Sequence, residues 1–161
     1  MPADLIAFEA AKLALQFGGA LLIARLAVVW ALRRYKAEKS WERRLAAYVD
    51  VVTAIGEMLH VVGRWMSDVE DDRNPTEEWN KAQRERYQAA RRRLDEGAAA
   101  ASLILPQETT ATLTQLRKEL EASPRGGDYY LALDHDYGNL TTALKSVVAQ
   151  GRATLGPEIT K

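Results

Sequence analysis

Apolar residues recur at alternating steps of four and three along Trp41, Leu45, Tyr48, Val52, Ile55, Leu59, Val62, Met66 and Val69. That spacing keeps one stripe of a helix apolar along its whole length. A second stripe, Ala47, Val51, Ala54, Met58, Val61 and Trp65, runs beside it. Two adjacent stripes predict a central bundle helix that touches more than one neighbour. It is expected to begin near Glu38 or Ser40, continuous with the segment before it, and to end in the polar run 68–75. Asn74 as N-cap, Pro75 at N1 and Glu77 and Glu78 in the first turn then predict a helix over about 75–103. Its apolar stripe is Trp79, Tyr87, Ala90, Leu94, Ala98, Ala101 and Leu105. Pro106 and Glu108 open a short helix bearing Leu113, Leu116 and Leu120, and Ser123-Pro124-Arg125-Gly126-Gly127 reads as a loop. The last helix, from about Asp128, repeats Tyr130, Leu133, Tyr137, Leu140, Leu144 and Val147 and is expected to fade at Gly151. No period-2 pattern appears. The expected fold is all-α: a single N-terminal transmembrane helix within 1–36, an antiparallel four-helix bundle over 37–151, and a flexible tail over 152–161.

The N-terminal expectation rests on residues 13–32, in which only Gln16 and Arg25 are plainly polar. Twenty residues at about 1.5 Å each reach roughly 30 Å, enough to cross a hydrocarbon core. Arg25 is the objection, costing roughly 2.5–3.5 kcal/mol near a helix centre. Leu21, Leu22, Ile23, Leu26, Val28, Val29, Trp30 and Leu32 oppose it with a few tenths each. Gln16 and Arg25 fall on roughly opposite sides of a helix, so they make no polar face. A cleaved signal peptide fits poorly, because Asp4 and Glu9 outweigh Lys12 where a positive n-region belongs. Ala10, Ala14, Gly18 and Gly19 place small residues where a second membrane helix could approach closely, a face open to self-association, although Ala and Gly are also simply common in such helices.

Charge then sets an orientation. Lys plus Arg and Asp plus Glu both total 22, a balance made of opposed blocks. Stretch 33–44 carries six cations and two anions, 68–78 six anions and one cation, and 81–93 six cations and one anion. The juxtamembrane cations Arg33, Arg34, Lys36 and Lys39, with Arg43 and Arg44 behind them, outnumber the single Lys12 before the span. The positive-inside rule therefore places the N-terminus outside and the helical domain in the cytoplasm. The chain has no cysteine, which excludes disulfide and thiolate chemistry.

The search for chemistry returns little. Glu57 and His60 form a Glu-x-x-His pair, but a di-iron bundle needs a second one, and the other histidine, His135, follows Ala132. The expectation for His60 is a surface pair with Glu57 or Arg64. Asp134-His135-Asp136 are consecutive on a helix and splay by about 100° each, so they are read as a solvated face. The basic run Lys81, Arg84, Arg86, Arg91, Arg92 and Arg93 lacks interleaved aromatics apart from Tyr87, and the acidic block upstream can neutralise it. Neither nucleic acid nor any metal or other cofactor is expected. Gly56 and Gly63, seven apart on the line of Val49, suggest close approach of a neighbouring helix or a partner.

The run Trp41-Glu42-Arg43-Arg44-Leu45-Ala46-Ala47-Tyr48, directly after the apolar stretch and basic cluster, resembles short uncharacterised bacterial single-pass membrane proteins. Their cytoplasmic part opens with W-E-x-[K/R]-L-x-x-Y. The resemblance implies a bacterial inner-membrane location and a helical cytoplasmic domain, and carries no activity. The expected function is a membrane-anchored interaction or scaffold module without catalysis, its partners the lipid bilayer and another protein or a second copy. The alternative is a membrane-active effector whose span oligomerises and perturbs the bilayer.

Overall fold

A computed structural model describes the backbone of residues 3–123 and 128–159, and the side chains of 23–123 and 128–156. Four α-helices account for the ordered elements, and no strand occurs among the described residues: α1 (Ala3–Glu70), α2 (Glu77–Ile104), α3 (Gln107–Glu121) and α4 (Tyr129–Ile159). No proline stands between Pro2 and Pro75, so nothing in the sequence interrupts the hydrogen-bond ladder of α1. The chain divides into two compact units, Met1–Trp41 and Glu42–Lys161, five residues beyond the boundary expected from the sequence.

In the first unit α1 exposes every side chain described over 23–39. The small-residue face at Ala10, Ala14, Gly18 and Gly19 lies outside the described side chains.

The second unit is the bundle. Its helices run antiparallel, as the contacts along their lengths show. Descending α1, Glu70 meets Tyr130, Gly63 meets Tyr137 and Tyr48 meets Gly151 of α4. On α2, Trp65 packs on Tyr87 and Val51 lies against Gly97. Arg117 of α3 pairs with Asp95 of α2 at 2.8 Å, and Thr112 of α3 with Gln150 of α4 at 3.2 Å. The core between them contains Val51, Ile55, Met58, Leu94, Leu113, Leu140 and Val147, all essentially without exposed surface. At roughly 25 cal/mol per Å², burying side chains of this size is the main force that holds four helices together.

The two stripes of α1 are not equivalent. Tyr48, Ile55 and Val62 of the first are buried, whereas Trp41, Leu45, Val52, Leu59 and Met66 are only partly covered and Val69 is exposed. Val51, Ala54, Met58 and Val61 of the second are all buried. The core therefore centres on the groove between the stripes, because neighbours press on α1 from both sides. On α4, Leu133, Leu140 and Val147 are buried, Tyr130 and Leu144 are partly covered and Tyr137 is 39% exposed.

The turns differ from the sequence expectation in two places. α1 ends in a Schellman motif: Arg73 N–H donates to Asp68 C=O at 2.8 Å and Asp72 N–H to Val69 C=O at 3.3 Å, with Asp72 left-handed at φ 49°. The cap of α2 is Thr76, not Asn74: Thr76 is extended at ψ 152°, so the helix begins later than expected, at Glu77. Thr76 Oγ1 accepts from Trp79 N–H at 3.3 Å, and Glu77 and Glu78 occupy the first turn. The second difference is the tail. α4 passes Gly151 and continues to Ile159, because Gly151 and Leu155 are buried against the bundle. That packing overrides the low helical propensity of glycine.

Candidate functional site

Two features stand apart from ordinary packing: the apolar circumference of α1 in the first unit and a polar layer inside the second.

Ile23 is 69% exposed and Trp30 66%, and Leu26, Val28, Val29 and Leu32 are also exposed. At about 100° per residue these positions lie around the helix, Ile23 and Leu32 on opposite sides. A water-facing helix buries its apolar stripe, and contiguous apolar surface of this extent marks a contact with lipid or protein. α1 is the one helix among the described residues long and apolar enough to cross a membrane. The stretch that meets this measure is 39% buried, which describes the bundle half of α1, with Tyr48, Val51, Ala54, Ile55, Met58, Val61 and Val62 in the core. The 23–32 segment has no such cover, since all ten residues are exposed. The apolar surface of the bundle half is taken up by core packing, whereas that of the 23–32 segment is open.

At its C-terminal end the Arg34 guanidinium lies over the Trp30 ring, its Cζ 5.9 Å from the ring centroid. The pair is four residues apart, and Arg34 folds back toward the helix N-terminus as helical side chains do. Arg33, Tyr35 and Lys36 surround it and are exposed, and Lys39 follows, exposed as well.

Within the bundle, Tyr48 Oη sits 3.0 Å from Thr109 Oγ1 and 3.3 Å from Thr154 Oγ1. Thr154 Oγ1 donates to the Gln150 carbonyl at 2.8 Å, which uses its only proton. Tyr48 must then donate to Thr154, and Thr109 must donate to Tyr48. The order is fixed: Thr109, Tyr48, Thr154, Gln150 C=O, across α3, α1 and α4. A neighbouring bond, Gln150 Nε2 to Thr112 Oγ1, extends the layer. Thr109 has no exposed surface, and the sequence reading missed it because a threonine among the polar residues of a short helix carries no apolar signal.

The remaining sequence candidates separate. Glu57 pairs with Arg86 of α2 at 3.5 Å, not with His60, because antiparallel packing brings α2 alongside that face. His60 and Arg64 instead border an open groove of about 350 Å³ with Gly56, Leu59, Gly63 and Tyr137. An added Cβ at Gly63 would lie 3.4 Å from the Tyr137 ring, whereas Gly56 faces open space. Asp134 is exposed, and His135 Nδ1 lies 3.6 Å from Asp136 Oδ1, with Asn139 Nδ2 3.3 Å from the His135 ring nitrogens. Among the described residues no three His, Cys, Asp or Glu side chains gather to hold a metal ion. Of the basic run, Arg84 pairs with Glu77 at 2.5 Å and Arg86 with Glu57, so part of the block is neutralised within the chain. Burial, together with nearby Asp136, pushes the Tyr87 phenol up to about 12. The Tyr130 phenol is raised by donating to Glu70 Oε1 at 2.6 Å.

Comparison of the chain with protein-family profiles, with curated proteins and with solved structures finds no match.

Proposed function

We propose that this chain is a single-pass membrane protein whose second unit is a helical interaction module. The observation that supports the first half is the exposure of all residues from Ile23 to Leu32 around the full circumference of α1. Such a surface is stable in hydrocarbon and unstable in water, at roughly 25 cal/mol per Å². The cation excess after Leu32 orients the span with the N-terminus outside and the bundle in the cytoplasm.

The second half follows from what the bundle's polar groups do. The hydroxyls of Tyr48, Thr109 and Thr154 are spent on one another, and Glu57, Asp95 and Glu70 are engaged by neighbouring helices. These groups hold helices in register. A module of this kind acts by presenting a surface to another protein or to a second copy.

Fractionation of the full-length protein tests the anchor. It should remain with membranes after carbonate washing and move to the soluble fraction when residues 1–36 are deleted. Full-length protein found in the soluble fraction, unchanged by that deletion, would refute the proposal. In-cell photocrosslinking from His60 and Tyr137, which border the groove, tests the interaction role; adducts at neither position count against that surface.

A further inference from the structure

We infer that the Trp30–Arg34 pair marks the plane of the membrane surface and that Arg33, Arg34 and Lys36 there bind anionic phospholipid headgroups. This rests on the anchor reading above and specifies its lipid partner.

Three observations converge on the same turn. The first is the change in side-chain character. Ile23, Leu26, Val28 and Val29 are purely hydrocarbon and exposed, whereas over 30–36 the exposed large residues are amphipathic or cationic apart from Leu32, the last large aliphatic of that stretch. Indole and phenol rings partition to the headgroup level, where one edge meets water and the other hydrocarbon. Trp30 and Tyr35, 66% and 58% exposed, lie five residues apart and bracket a layer about 7–8 Å thick along the helix.

The second is the stacking of Arg34 on Trp30, 5.9 Å from guanidinium carbon to ring centroid. Contact with the ring holds the guanidinium near the depth of the indole, and the Arg34 side chain is exposed. A guanidinium is a planar fork of donors that matches phosphate oxygens. Arg33 and Lys36 are exposed at the same level and add charge of the same sign.

The third is distance. Lys12 precedes Trp30 by eighteen positions in the sequence, roughly 27 Å on a helix and close to the thickness of a hydrocarbon core. With the surface at Trp30, Arg25 lies only about 7–8 Å beneath it, within the range over which an arginine stem snorkels. The residue that weighed most against a span thus falls near its edge.

The chain has no cysteine, so single cysteines can be placed and spin-labelled at will. Full-length protein labelled at positions 23, 26, 29, 32, 35 and 36 in turn, in phosphatidylcholine vesicles with a minority of phosphatidylglycerol, is read for oxygen against nickel-chelate accessibility. Labels at 23 and 26 should read hydrocarbon, those at 35 and 36 water, with the crossover between 29 and 32. In parallel, spin-labelled phosphatidylglycerol and phosphatidylcholine are compared for association with the protein. Phosphatidylglycerol should be favoured, by roughly fivefold for each engaged cation, and R33Q/R34Q/K36Q should abolish the preference while the depth profile stays unchanged. Water accessibility at every position removes the anchor itself. A normal depth profile with its crossover elsewhere overturns the placement of the surface. Equal association of the two lipids, unaffected by the triple substitution, overturns headgroup binding and leaves the anchor standing.

Discussion

The hydroxyl of Tyr48 lies 3.0 Å from that of Thr109, which has no exposed surface and stands 61 residues away in the chain. The bond joins α1 to α3, and the onward bond to Thr154 joins both to α4. A buried hydroxyl stripped of its partner costs about 1–3 kcal/mol, whereas removing both partners together is nearly neutral. Tyr48→Phe and Thr109→Val should each destabilise the bundle by about 1–2 kcal/mol. The double variant should lose clearly less than the sum. A double-mutant cycle of urea unfolding on the full-length protein in detergent measures the coupling, and strict additivity would show that the two hydroxyls act independently.

Two glycines of the bundle should respond differently to alanine. A Cβ at Gly56 meets nothing within 4 Å, so Gly56→Ala should stabilise by about 1 kcal/mol through helix propensity alone. At Gly151 the added Cβ would lie 3.2 Å from Tyr48 Cδ1, so a ring tied through its hydroxyl to Thr109 and Thr154 would have to shift. Overpacking costs about 1–3 kcal/mol, which offsets or exceeds the propensity gain. Gly151→Ala should therefore unfold at the same or lower urea concentration than the parent, and Gly56→Ala at a higher one.

Tyr87 gives the bundle an alkaline limit. Its phenol titrates at about 12 in the folded protein against 10.0 when unfolded, chiefly because burial opposes the phenolate. Between these values the unfolded chain has released a proton that the folded one keeps. Stability is thus complete below pH 10 and falls as the pH rises toward 12, by about 2–3 kcal/mol in all. Tyr87→Phe should flatten that part of the profile. Urea unfolding at pH 9, 10 and 11 compares the two, and parallel curves would show that Tyr87 does not govern the decline.

The end of α1 holds Asp72 at φ 49°, a conformation that costs an ordinary residue roughly 1–2 kcal/mol and glycine almost nothing. The side chain is exposed and sits at a helix C-terminus, where negative charge is unfavourable. Asp72→Gly should raise stability by about 0.5–1 kcal/mol. A drop instead would show that the carboxylate makes a contact that outweighs the backbone strain.

Much of the helical framework could be read directly from spacing. Leu113, Leu116 and Leu120 were placed on one face of α3 and are all buried, and Ala90, Leu94, Ala98 and Ala101 likewise on α2. These residues are legible because a 3.6-residue period maps sequence onto a face without reference to any neighbour. The partner of Glu57 was not legible, because Arg86 comes from another helix whose rotation no periodicity specifies. The helical continuation past Gly151 was hidden for a similar reason. Its local propensity is poor, and what holds it is contact with Tyr48.

The all-helical class and the run of apolar residues up to Leu32 with the cations after it were settled by residue type and order alone, since they depend on local propensity and side-chain polarity. Only the tertiary structure decided that the core runs between the two stripes of α1 rather than along the first, and that Tyr48 is tied to positions 61 and 106 residues away. Both depend on how helices distant in the chain rotate and seat against one another. A stripe says which side chains avoid water; which of them meet depends on packing several helices into one volume without voids.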